Sequence, residues 1–259
     1  KKRNSQSSFF ILHSSFNRIL HLTMIYLLRD DEISFPDPRD GEPNGLFAVG
    51  GDLSVPRLLL AYSHGIFPWY AFRKEDAYLD LCKEDGEPYI QWWCPMQRFV
   101  IFPDEIHISH SMKQMMKKEE YNVTFCQDFK GVITNCGALR EKEKGAWLGE
   151  HIIEAYTRLF DAGYAASVEV WKTEDDAESP RLVGGLYGVC IGKCFIGESM
   201  FSLVPSASKL ALIVLAKYMQ QHGGLFIDCQ LETPHLKSMG GRFISYDQYM
   251  SILQEGLAN

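Results

Sequence analysis

The sequence predicts an α+β fold: a small N-terminal module, then a larger domain built on a mixed, largely antiparallel sheet. Three observations carry this reading. Three strand-like runs, ASVEVW (166–171), LVGGLYGVCI (182–191) and CFIGESMF (194–201), follow one another. Only the acidic loop TEDDAESPR and the turn Gly192-Lys193 separate them, the spacing of antiparallel hairpins. Helical segments stand before and after these runs, so helices and strands mix along the chain. Finally, Pro36, Pro38, Gly41, Pro43 and Gly45 exclude long regular elements early in 35–70 and mark a separate small unit.

Taken in order, residues 1–28 form an apolar run that Asn17, Arg18 and His21 interrupt. No A-x-A-like cleavage site follows, and the run is too polar to span a membrane. The first methionine is Met24, so translation is expected to start there, with 1–23 a disordered or non-native extension. The small domain is expected over 24–95. In it, Asp52 or Ser54 caps a short helix with Pro56 near its first position, running through Leu60 and Tyr62 and stopped by Gly65. Residues 71–91, charged and without period, read as an exposed loop or hairpin, and Trp92-Trp93 reopens ordered structure.

The larger domain is expected over 96–259. Tyr121–Phe125 alternates as a strand, and 127–140 reads as a helix. In 149–162, Ile152, Ile153, Tyr156, Leu159 and Phe160 form the apolar stripe of an amphipathic helix, with Gly163 as its stop. After the three strand runs come a helix over about 207–221, a strand over 225–230 and a terminal helix over about 246–255.

Composition narrows the function. The chain has 259 residues and a net charge of −7, so any nucleic-acid partner must be gripped locally, not by a basic surface at large. Clusters such as Lys113, Lys117, Lys118 and Lys209 could do this; the first three read equally well as a solvated helix face. The cysteine count is seven, an odd number without a C-x-x-C pair, which suits a reducing compartment and a cytoplasmic location. His107-x-x-His110 has no partners at metal-site spacing, so no bound metal is expected. G-x-G-x-x-G and the P-loop pattern are both absent.

Several stretches carry possible chemistry. Asp228 and Gln230 end strand 225–230, and strict alternation puts both on one face with Cys229 on the other. They form either a satisfied polar corner or a working site. Glu198, between Gly197 and Ser199, is either a solvated strand-end glutamate or a carboxylate aimed into a pocket beside Met200 and Phe201, where it would attract a cation. Ser206-Ala-Ser-Lys209 opens a helix with a hydroxyl cap and a lysine, which is either plain capping or an anion site. It also matches S-x-x-K, but the companion S-D-N and K-T-G motifs are missing. Gly184, Gly185 and Gly188 inside a strand mark a bulge or the close approach of a backbone or ligand. Trp69 and Trp147 stand in glycine- and proline-edged contexts, suited to the core or to stacking on a nucleobase.

Together, GLFAVGGDLSVPRLLLAYSHGIFPWY (45–70), WWCPMQRFV (92–100), SVEVW (167–171), LVGGLYGV (182–189), FIGESMFS (195–202), SASKLAL (206–212) and IDCQLETPHLKSMG (227–240) resemble the bacterial leucyl/phenylalanyl-tRNA–protein transferases. The blocks run in order from about Leu27 to Leu253. Departures are local: 71–91 is longer than in the family's shorter members, GAWL stands where a T-W-I-like run is expected, and Gly240-Gly241 replaces Gly-Ala. The resemblance implies a catalytic domain related to the N-acetyltransferase (GNAT) fold. It implies transfer of Leu or Phe, and Met more weakly, from aminoacyl-tRNA to proteins beginning with Arg or Lys, marking them for degradation. It implies no cofactor, because the ester is already activated. A monomer without membrane attachment is expected.

In that reading Gln230 bonds the acceptor amine, Asp228 either acts as a general base or only polarises or orients Gln230, and Glu198 binds the cationic N-terminal residue or positions the tRNA end. Met200 and Ile227 wall the Leu or Phe side chain. Trp69 and Trp147 hold the terminal adenosine, and Ser206 and Lys209 meet the tRNA backbone. Two alternatives fit the fold. A GNAT-like transferase using another acyl donor would need a pyrophosphate-binding glycine loop, which is missing. A non-catalytic tRNA-end binding module would have lost DCQ or GESMF, which are intact.

Overall fold

The computed structural model describes residues 10–12, 25–69, 89–118, 120–142, 149–173 and 179–258. The chain divides into two compact units, Lys1–Met96 and Gln97–Asn259.

The first unit contains β1 (Phe10–Leu12), β2 (Ile25–Leu28), β3 (Leu46–Gly50), α1 (Val55–Ser63), β4 (Phe67–Trp69) and β5 (Gln91–Trp93). Its five strands lie in the order β1-β2-β3-β5-β4. Phe10–Leu12 thus pairs antiparallel with β2; the rest of segment 1–23 lies outside the described residues, as does most of 71–91. Of the two candidate caps, Ser54 is the one that caps α1, accepting the Arg57 N–H at 3.4 Å, while Asp52 accepts the Ser54 N–H. Arg57 is buried because its guanidinium replaces water with protein partners: Asp52 at 3.1 Å and the carbonyls of Arg29 and Glu32.

The second unit runs β6 (Gln97–Ile101), α2 (His110–Lys117), β7 (Tyr121–Phe125), α3 (Phe129–Lys142), α4 (Glu150–Asp161), β8 (Ala165–Lys172), β9 (Arg181–Ile191), β10 (Cys194–Ser202), α5 (Ala207–Gln221), β11 (Ile227–Gln230), α6 (Pro234–Ser238), β12 (Arg242–Ser245) and α7 (Tyr246–Ala258). Its seven-stranded sheet has the order β12-β6-β11-β10-β9-β8-β7. Every neighbouring pair is antiparallel except β10–β11, so the sheet is mixed and largely antiparallel. The fold is α+β.

The helices cover the sheet because each carries an apolar face. Leu210, Leu212, Ile213, Leu215 and Ala216 of α5 join Val168, Val170, Val183, Leu186, Phe195 and Ile227 in one buried cluster. Pleat alternation sends Tyr187 to the opposite face, where its ring meets Phe129 of α3 and Tyr156 of α4 edge-on at 5.7 Å. Gly163, with φ +81°, ends the helical segment before β8 as its position suggested. Strands β6 and β12 and helix α6 are not legible in the sequence. Each has five residues or fewer, and none shows the clean alternation that made the equally short β7 readable. Glu169 is buried in β8 yet satisfied: Thr124, Ser167 and the Gln127 N–H all donate to it. Among the described residues no helix is long and apolar enough to cross a membrane.

The glycines of β9 answer to neighbours within the protein, not to a ligand. A Cβ at Gly188 would collide with the Ile196 carbonyl and the Phe195 ring, and one at Gly184 with Ala207 at the start of α5. Gly188→Ala is therefore expected to destabilise the protein by about 1–3 kcal/mol through overpacking. Urea unfolding with an unchanged slope would measure it; a midpoint equal to that of the parent protein would contradict the crowding.

Candidate functional site

The sequence places an arginine in an otherwise apolar strand, RFVI, and the structure explains it. Arg98 of β6 is buried beside Asp228 of β11, which is also fully buried. The guanidinium grips the carboxylate through two nitrogens: Nε at 2.9 and 3.0 Å from the two oxygens, Nη2 at 2.8 Å from Oδ2. The Tyr249 hydroxyl of α7 donates to Oδ2 at 3.0 Å, and the Gln230 backbone N–H donates to Oδ1 at 2.8 Å. The Arg98 guanidinium also lies 4.9 Å from the centre of the Tyr249 ring. Burial, followed by the Asp228 charge, pushes the Tyr249 phenol well above its ordinary value, so its hydroxyl stays a donor.

The Asp228 contacts shape the next two residues. The ladder with β6 pairs Asp228 with Val100 and Gln230 with Phe99, leaving Cys229 as the extra residue of a bulge. Gln230 takes φ +63°, and the Leu231 N–H closes on the Cys229 carbonyl at 2.7 Å, a three-residue turn centred on Gln230. Strict alternation therefore fails here. Asp228 faces Arg98 and Tyr249, while Gln230 is re-aimed toward β10. Asp228 meets Gln230 at the main chain and not at the side-chain amide. Burial, with the Asp228 charge, pushes the Cys229 thiol up, which disfavours its thiolate.

The Gln230 side chain ends on Glu198. Its Nε2 donates to Oε1 at 3.2 Å, and the Tyr156 hydroxyl of α4 donates to Oε2 at 3.0 Å. Since a carboxylate only accepts, the NH2 of Gln230 must face Glu198. Glu198 is neither solvated nor at a strand end. It is 7% exposed and sits mid-strand at a register shift between Gly197 and Ser199. Strand β10 continues to Ser202 because the GESMF run keeps pairing with β9 beyond the bulge. Two bulges on parallel neighbours thus bring together residues 32 apart in sequence.

The other expected site residues are distributed as follows. Ile227 is core, and Met200 packs half-buried against the same cluster. Ser206 stands before α5 with φ +69° and makes no side-chain cap. The capping hydroxyl belongs to Ser202, which accepts the Ser208 N–H at 3.1 Å. Lys209 lies half-buried in the first turn of α5. Trp69 belongs to the first unit, 5.9 Å from the Trp93 ring centre, and Trp147 lies outside the described residues. Lys113 and Lys117 line a concavity of about 380 Å³ together with Lys217.

Sequence reading missed Arg98, Tyr156 and Tyr249. Only Arg98 left a signal, a charged residue leading the apolar run FVIF. Tyr156 was indistinguishable from its apolar stripe.

The leucyl/phenylalanyl-tRNA protein transferase family model matches residues 100–254, and the model of that family's N-terminal domain matches 51–96. The chain is similar to the leucyl/phenylalanyl-tRNA–protein transferase of Pseudomonas fluorescens strain SBW25, 44% identical over 236 residues, which covers 90% of this chain and 96% of that one. It is similar to the protein of that name from Flavobacterium psychrophilum, 44% identical over 225 residues, covering 86% and 97%. The Pectobacterium carotovorum counterpart is 45% identical over 233 residues, covering 89% and 90%.

Arg98→Met would leave Asp228 buried without its cation. Stability is expected to fall by about 3–5 kcal/mol, and Arg98→Met with Asp228→Leu to recover much of it. Denaturant unfolding of both variants checks this. A neutral single substitution would show that the pair is not the support of this corner.

Proposed function

The chain belongs to the leucyl/phenylalanyl-tRNA–protein transferase family, and from that premise we propose that it moves leucine or phenylalanine, and methionine more weakly, from aminoacyl-tRNA to the N-terminal amine of proteins beginning with arginine or lysine, marking them for degradation in the cytoplasm. The observation that carries this reading is the Glu198–Gln230 hydrogen bond. It fixes the amide so that the Gln230 carbonyl oxygen is left to accept an N–H from a neutral amine.

The chemistry needs little more than position. An aminoacyl ester is already activated, and an α-amine has a pKa of about 7.7–8.0, so its deprotonation is cheap near neutral pH. Gln230 holds the amine with its lone pair toward the ester carbonyl, which turns an encounter into a positioned attack. The new bond joins the amine nitrogen to the carbonyl carbon. The ester C–O bond breaks, and the proton leaving nitrogen ends on the ribose oxygen. Asp228 has its acceptor positions taken up by Arg98, Tyr249 and the Gln230 N–H, which suits a positioning residue better than a general base. Glu198 orients Gln230 and favours a cationic acceptor. Met200 and Ile227 would wall the donor side chain. Trp69 and Trp147 would hold the terminal adenosine. Ser206 and Lys209, with Lys113, Lys117 and Lys217, would meet the tRNA backbone.

Charged leucyl-tRNA, an Arg-starting peptide and the protein together should yield leucyl-peptide. Glu198→Gln, which keeps the shape but presents an NH2 to Gln230, is expected to slow transfer on the order of a hundredfold while melting within a few degrees of the parent. Full activity in this variant would remove the carboxylate from the mechanism. Donor choice should follow shape, because an apolar pocket separates substrates by only about 1–3 kcal/mol per methylene. In a competition of leucyl-, phenylalanyl- and isoleucyl-tRNA, Met200→Ala should admit isoleucine more than it slows leucine. Unchanged preference would take Met200 out of the pocket.

A further inference from the structure

Beyond the Glu198–Gln230 pair, His235 and Lys209 stand out among the described residues. His235 of α6 buries its Nε2, yet that nitrogen hydrogen-bonds to nothing there. A buried polar atom left unmade costs about 1–3 kcal/mol, so something else is expected to satisfy it. Lys209 is half-buried in α5 and forms no ion pair among the described residues. Its ammonium is left to meet an anion.

Topology brings the helices that carry them to one edge of the sheet. Strands β10 and β11 run parallel, α5 follows β10 and α6 follows β11. Both helices therefore start from the same edge of the sheet, just beyond the bulges that carry Glu198 and Gln230. Burial, and next the nearby Lys209 charge, lower the basicity of the His235 ring. The pair thus offers a lysine charge and an imidazole whose uncharged form is favoured, with donors from two directions. That set fits a singly charged anion with several acceptor oxygens, as a phosphodiester is.

Resting on the reading of the protein as an aminoacyl-tRNA-dependent transferase, we propose that His235 and Lys209 together grip the phosphodiester joining the last two nucleotides of the donor, setting how deeply the aminoacyl ester reaches toward Gln230. His235 is a positioning residue: it acts on the donor's backbone and not on the reacting atoms.

The test compares phenylalanyl-adenosine with its 5′-phosphorylated counterpart as donors to an Arg-starting peptide, with charged tRNA as a third donor. Wild type should prefer the phosphorylated donor in kcat/KM. His235→Gln and Lys209→Met should each reduce that preference about tenfold, mainly through KM, the size of one charge-assisted hydrogen bond. Lys209→Met, at a half-buried position, keeps the question open to an answer if His235→Gln does not fold. A preference unchanged in the folded variants, with wild type active, overturns the proposal and leaves the transferase reading intact. A wild-type protein inactive with all three donors overturns the transferase reading and this proposal with it.

Discussion

The buried ion pair of Arg98 and Asp228 is the interaction on which the arrangement of this protein's polar site depends. Taking two charges out of water costs several kcal/mol per ion, and the mutual attraction compensates only when geometry is good and the remaining acceptors are used. Both conditions hold. The guanidinium spans both carboxylate oxygens, and the Tyr249 hydroxyl and Gln230 N–H occupy what is left. Such a pair is weak evidence for stability as such. Its consequence here is conformational: Asp228 anchors the main chain at Gln230, where the backbone is left-handed, a state costing a non-glycine residue roughly 1–2 kcal/mol.

That anchored turn matters because of where it lies in the sheet. β10–β11 is the one parallel pair of the seven-stranded sheet, and each strand is bulged where it carries a polar side chain. A bulge re-aims a side chain that simple pleating would send elsewhere. Here the two bulges turn Gln230 and Glu198 toward each other, and Tyr156 from α4 completes the set. The site therefore combines three elements, β10, β11 and α4, held by a fourth and fifth, β6 and α7, that supply Arg98 and Tyr249. A carboxylate–amide pair fixed in this way presents its remaining hydrogen-bonding atoms in one orientation, without rearrangement.

Much of this was legible in the order of residues. The α+β class, the β8–β9–β10 meander and the bounds of α5 follow from hydrophobic period and from Gly192-Lys193, which are local properties. The family follows from short blocks whose spelling is specific. Gln230, Asp228 and Glu198 stood out because charged or amide groups in strand-like runs demand a reason. What the sequence could not supply was their partners. Arg98 lies 130 residues from Asp228, and Tyr156 lies 42 from Glu198; no periodicity reports a contact across such a separation. The exposure of Glu198 was likewise undecidable from GESM, since a bulge inside a strand and an exposed strand end have the same composition. Alternation predicted Asp228 and Gln230 on one face, and only the β6–β11 ladder shows the extra residue that separates them. Sequence alone determined the longer elements and the family, and singled out Glu198, Asp228 and Gln230 as candidates, because propensity and residue type are local. The tertiary structure alone decided which of those residues touch, because strand register, bulges and a buried ion pair exist only once distant segments meet.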